Sequence, residues 1–65
     1  MHEYKYTNSL GWHKNLIVNT DKIDENGRFP VSLWCLDNGE FCGHGDMNYQ
    51  ELKEYLEHFG IAIDF

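Results

Sequence analysis

The sequence predicts an α+β fold: a small antiparallel sheet of four to five strands with a single C-terminal helix packed on one face, in the order β-β-β-β-α-β. Three observations lead there. Apolar residues recur at helical spacing near the end of the chain, an Asn-Gly pair sits between two apolar runs in the middle, and aromatic and polar residues alternate near the start. At 65 residues the chain has room for one domain, residues 1–65, close to the lower limit for folding on one hydrophobic core. Two Trp, four Tyr and four Phe supply the bulk that length does not.

The alternation Glu3-Tyr4-Lys5-Tyr6-Thr7 suits a half-buried first strand, Asn8-Ser9-Leu10-Gly11 reads as a turn, and Asn15-Leu16-Ile17-Val18-Asn19 reads as a second strand. Residues 20–30 are expected to form a long acidic loop. Asn26-Gly27 suggests a turn within it, and Pro30, which lacks a backbone donor, is expected to interrupt any tight ladder leading out of that turn.

Asn38-Gly39 between the runs 31–36 and 41–44 is a strong signal for a type I′ hairpin. With those two as the loop, Asp37 pairs with Glu40, Leu36 with Phe41, Cys35 with Cys42, and Leu33 with His44. One face then carries Leu33, Cys35, Cys42 and His44. The other carries Trp34, Leu36 and Phe41, together with the small residues Gly43 and Gly45.

Residues 49–59 place Leu52, Tyr55, Leu56 and Phe59 on one helical stripe. Asn48 fits the N-cap and Glu51 the third position of a capping box, with Met47 as a hydrophobic staple on Leu52. Gly60 stops the helix, and Ile61 beyond it can fold back on Leu56. The β-prone residues 61–65 are expected to return as a last strand beside the sheet.

Eleven Asp and Glu against five Lys and Arg give a formal charge of −6, which repels nucleic acid and anionic lipid and attracts a basic groove on another protein. Direct binding to nucleic acid or membrane is therefore disfavoured. No apolar run approaches the ~20 residues that span a bilayer, and Met1-His2-Glu3-Tyr4-Lys5 lacks the apolar stretch of a signal peptide, so a cytoplasmic location is expected. Reducing conditions there would keep both cysteines as thiols.

Cys35, Cys42, His44 and Asp46 are residue types that ligate zinc, and the predicted hairpin sets the first three on one face. The spacing lacks the two close ligand pairs of familiar zinc sites, so the leading expectation is no metal and no cofactor, with Cys35 and Cys42 as small hydrophobes. A Cys and His side by side also suggest a nucleophile and its base, but no oxyanion donor or orienting partner accompanies them. Gly43-His44-Gly45 lacks the lysine of a Walker loop and the third glycine of a dinucleotide fingerprint.

Carboxylates recur outside the predicted core at Asp21, Asp24, Glu25, Asp37, Glu40, Glu51, Glu54 and Glu57. Trp34 and Phe41 point away from the thiol face and need a cover. Together these ten residues form the expected partner-binding set of a non-enzymatic acidic protein, monomer or homodimer, that docks on a larger basic protein. Such a protein would act as an inhibitor or nucleic-acid mimic blocking a nucleic-acid-binding protein, as a phage-type anti-defence inhibitor of the anti-CRISPR kind would. The alternatives are a small zinc module on Cys35, Cys42, His44 and Asp46, and a homodimerising domain that buries Trp34 and Phe41 against a second copy.

Overall fold

The computed structural model describes residues 1–65. Strands β1 (His2–Thr7), β2 (His13–Val18), β3 (Arg28–Cys35) and β4 (Phe41–Asn48) pair antiparallel in sequential order, and helix α1 (Tyr49–His58) leaves β4 without a linker. The four-stranded sheet and the C-terminal helix are the α+β arrangement expected from the hydrophobic periodicity. The chain contains no helix long and apolar enough to cross a membrane.

Alternation decides which face each strand buries. Tyr4 on β1, Leu16 and Val18 on β2 and Phe29 on β3 point to the same side and meet Leu52 and Leu56 of α1 in one core. Val18, Leu52 and Leu56 are completely buried there. Tyr6, Val31, Leu33, Met47 and Tyr55 pack around this centre. The opposite face of the sheet has no layer over it.

Helix α1 begins as its capping sequence dictates. Asn48 Oδ1 accepts from the Glu51 amide at 2.8 Å, and Glu51 Oε1 accepts from the Asn48 amide at 3.0 Å, which satisfies two otherwise orphaned donors. At the other end Gly60 takes φ +75°, and the Ile61 amide donates to the Leu56 carbonyl at 2.9 Å.

Residues 61–65 do not pair as a fifth strand. Their polar and aromatic groups find partners elsewhere. Ile61 and Ile63 pack on the core, Tyr4 donates its hydroxyl to Asp64, and Tyr49 donates its hydroxyl to the Phe65 carbonyl at 3.1 Å. The Phe65 ring lies against His2, Phe29 and Tyr49 with centroids 4.8–5.9 Å apart. The tail thus fills the wedge between helix and sheet, where its side chains bury apolar surface that an edge strand would leave in water.

Pro30 lies inside β3, opposite Asp46, and does not end a loop. In an antiparallel strand the N–H and C=O of one residue project to the same side. The Pro30 carbonyl accepts from the Asn19 amide at 2.9 Å, so the missing donor falls at the end of the β2 ladder and leaves the β3–β4 pairing intact. The acidic loop is accordingly shorter. Asp24 organises it, with Oδ1 accepting from the amides of Asn26 and Arg28, both at 2.9 Å, around Gly27 at φ +73°.

The β3–β4 connection differs most from expectation. The Cys35 amide donates to the Glu40 carbonyl at 2.8 Å and the Gly39 amide to the Cys35 carbonyl at 2.9 Å, so the loop holds four residues, Leu36, Asp37, Asn38 and Gly39. A type I′ turn needs positive φ at both of its residues, and only Gly39 adopts it, at +72°. Strand β2 recruits the residues that would have extended the hairpin. The Leu36 amide donates to the His13 carbonyl, and the Asp37 carboxylate accepts from the His13 amide at 2.8 Å.

Trp34 therefore pairs with Phe41, whereas Leu33 pairs with Gly43, and Cys42 is the surplus residue of a β-bulge. Beyond the bulge each β4 residue lies on the face opposite to the expected one. Gly43, Gly45 and Met47 oppose Leu33, Val31 and Phe29 on the helix side, and His44 and Asp46 oppose Ser32 and Pro30 on the uncovered side.

Candidate functional site

The uncovered sheet face carries a small aromatic ledge at the β3–β4 end. Trp34 and Phe41 meet edge to face at 5.1 Å between centroids, and Phe41 continues onto His44 at 6.0 Å. Trp34 is 36% and Phe41 50% exposed, with Leu36 of the adjoining loop 46% exposed. Trp34 Nε1 donates to Ser32 Oγ at 3.3 Å, so the indole is oriented while its surface stays open to solvent. Neither Trp12, itself exposed, nor the acidic loop covers the ledge, and Tyr4 points into the core.

Beside Trp34 across the ladder lies Asn15, the one buried polar residue of the chain. Its Nδ2 donates to Glu3 Oε1 at 2.8 Å, and its Oδ1 is buried without a donor. An unsatisfied buried amide oxygen is unfavourable, so this position beside Trp34 costs the fold stability.

The carboxylates divide into bound and free. Asp37 is held to β2, with Oδ1 2.9 Å from His13 Nδ1. The backbone amide of His13, and then its ring, hold the Asp37 carboxyl below the usual range. Asp46 and Glu51 share Arg28 at 2.6 and 2.8 Å. The Asn48 amide holds Glu51 low as well, with Arg28 adding to it. The Tyr4 hydroxyl and then the nearby His2 ring do the same for Asp64, while burial followed by that hydrogen bond raises Tyr4. Asp24 braces its turn and Glu54 accepts from Gln50 at 3.0 Å. Asp21, Glu25, Glu40 and Glu57 receive no hydrogen bond through their carboxylates.

This pattern sets an acid limit on stability. A carboxyl whose folded pKa lies below its unfolded value contributes stability above the unfolded pKa and loses it as pH falls through the folded one. For Asp37, Glu51 and Asp64 the unfolded values are about 3.9 to 4.3. The urea midpoint is expected to hold steady down to about pH 5 and to fall below about pH 4. Asp37→Asn and Asp64→Asn should each flatten that decline, and a decline unchanged in the double variant would remove these two carboxylates as its source.

The ten residues expected to bind a partner do not share one surface. Trp34 and Phe41 lie on the uncovered face, with Asp37 in the adjoining four-residue loop and Glu40 just after it, opposite Cys35. Asp21, Asp24 and Glu25 occupy the β2–β3 loop, at the other end of the sheet in this antiparallel order. Glu51, Glu54 and Glu57 are exposed on α1, behind the sheet.

Cys35 pairs with Glu40 and not with Cys42, although both cysteines line one hollow with Lys14. Cys35 is 4% exposed on the helix side, whereas Cys42, in the bulge, is exposed and 3.4 Å from Lys14 Nζ. His44 points to the uncovered face beside Phe41, and Asp46 is engaged by Arg28. Nowhere do three His, Cys, Asp or Glu side chains converge in a way that could hold a metal ion. The bulge undoes the expected constellation by moving His44 to the other side of the sheet. The His13–Asp37 and His2–Asp64 contacts join residues far apart in the sequence, and no local pattern marks them.

No protein-family model, curated protein or solved structure matches the chain.

Proposed function

We propose that this chain is a non-enzymatic interaction protein that docks on a larger, basic protein through the Trp34–Phe41 ledge. The observation that carries the reading is an exposed edge-to-face aromatic pair on a sheet face with no covering layer, next to a loop that presents the exposed Leu36. Exposed aromatics of this size are the usual anchors of a protein interface.

The remaining acidic residues act at longer range. Those of the β2–β3 loop and of α1 face other directions, so they steer a basic partner toward the domain without each touching it. A chain with formal charge −6 is matched by the groove of a nucleic-acid-binding protein, and occupying that groove would block it.

The test is affinity for a panel of purified basic nucleic-acid-binding proteins at rising ionic strength. The expected result is binding to at least one, weakening about tenfold or more as the screening length falls from about 10 Å to about 3 Å. Affinity indifferent to salt, or no binding across the panel, would overturn the reading.

A further inference from the structure

Helix α1 seats Leu52 and Leu56 on Tyr4, Leu16, Val18 and Phe29, while the helix-facing side of β4 is left open. Between Tyr55 of the helix and the backbone of β4 runs an apolar groove of about 280 Å³, with Leu16, Val31 and Leu33 lining its floor and Met47 beside them. The groove exists because β4 presents glycine there twice.

The two glycines have different reasons to be present. Gly43 follows the bulge residue at φ +153°, a conformation side chains rarely adopt. Gly45 has no such need. Its φ is ordinary, and a Cβ built on it would meet no atom within 4 Å. Glycine weakens a strand interior, and where the fold itself does not call for one, it marks the close approach of something else.

β4 is also the last strand of the sheet, so the side of its backbone turned away from β3 has no strand beside it; there the Asp46 carbonyl accepts from Arg28 Nη2 at 3.1 Å and the Asn48 amide is taken by the helix cap, which leaves the stretch around His44 open. Exposed edges are commonly blunted by lysine, proline or an inward charge. β4 has no lysine or proline; its one charge, Asp46, lies on the uncovered face, with the bulge at one end of the strand and Arg28 bonded to Asp46 at the other. The opposite edge, β1, carries Glu3 and Lys5. An open edge beside an apolar groove is the geometry of strand addition, in which backbone hydrogen bonds give affinity and a pocket for alternate side chains gives specificity.

Charge selects the occupant. β4 has no Lys or Arg, and Asp46 and Glu51 share the single Arg28, which leaves that end negative. A second copy would bring another −6 against −6. We propose that β4 is a strand-addition site for an extended segment of a partner protein that alternates Lys or Arg with large apolar residues. The segment pairs with the β4 edge, seats one apolar side chain in the groove over Gly45, and points its cations to the other side, beside Asp46.

The inference does not depend on the Trp34 ledge, and the test separates the two. A seven-residue probe alternating lysine and leucine is titrated into the full chain, with the same probe carrying glutamate for lysine as control. The expected result is binding of the lysine probe alone, with amide shifts and slowed hydrogen exchange concentrated on β4. Gly45→Leu fills the groove, so it should raise the thermal midpoint and weaken the probe about tenfold or more, while Trp34→Ala leaves probe affinity within about twofold. Equal binding of both probes, no binding of either, shifts that avoid β4, or undiminished binding by the folded Gly45→Leu variant would each overturn the proposal. Sedimentation as a dimer that Gly45→Leu dissolves would do the same, by assigning the edge to a second copy.

Discussion

Replacing Leu56 by alanine is expected to leave the domain largely unfolded at 37 °C. Leu56 is completely buried in the core it shares with Leu52, Tyr4 and Phe29. Removing such a leucine side chain costs about 2–5 kcal/mol, part in lost transfer free energy and part in the cavity left behind. A chain this short has on the order of 3–10 kcal/mol in all. Each kcal/mol shifts the midpoint of a domain this size by roughly 4–8 °C, so thermal unfolding followed by circular dichroism should show a fall of at least about 10 °C. Leu10→Ala, at an 81% exposed position, is the control and should stay within about 0.5 kcal/mol of the parent. A Leu56 variant as stable as that control would mean the core is not where the structure puts it.

The second large effect is on binding. Trp34→Ala should lower affinity for a basic protein partner by about 30-fold or more, as truncation of an interface anchor worth about 2 kcal/mol does. Phe41→Ala should lower it less. Stability should change little, because an exposed cross-strand aromatic pair contributes only about 0.5–1.5 kcal/mol. Measuring both quantities on one variant separates a contact role from a structural one. Unaltered affinity in folded Trp34→Ala would sink the ledge as the docking surface, and a parallel loss from Glu57→Gln on the far side would move that surface to the helix.

Much of this fold was legible in the sequence because its signals were local. The Leu52, Tyr55, Leu56 stripe and the Asn48–Glu51 box specify α1 by spacing alone, and Tyr4 and Tyr6 specify the buried face of β1 by alternation. What was not legible depended on competition between distant groups. Asn38-Gly39 is a sound hairpin signal, yet β2 competes for Leu36 and Asp37 through His13, and the loop widens to four residues. The Cys42 bulge then leaves two-residue periodicity valid on either side of it and invalid across it. The candidate site followed the same division. Trp34 and Phe41 were placed together, on the face opposite Cys35, by pattern alone. The grouping of Cys42 with His44 failed because it needed the register of β4, which only tertiary structure supplies.

That bulge has a further consequence. In a regular strand Phe41 and Gly43 would lie on the same side, yet here one faces the aromatic ledge and the other the groove. Deleting a residue elsewhere in β4 would exchange its inside and outside from that point on. Deleting Cys42 would instead restore a regular ladder with every neighbour already correctly sided, so the chain carries at this position the one change in strand length that its architecture can absorb.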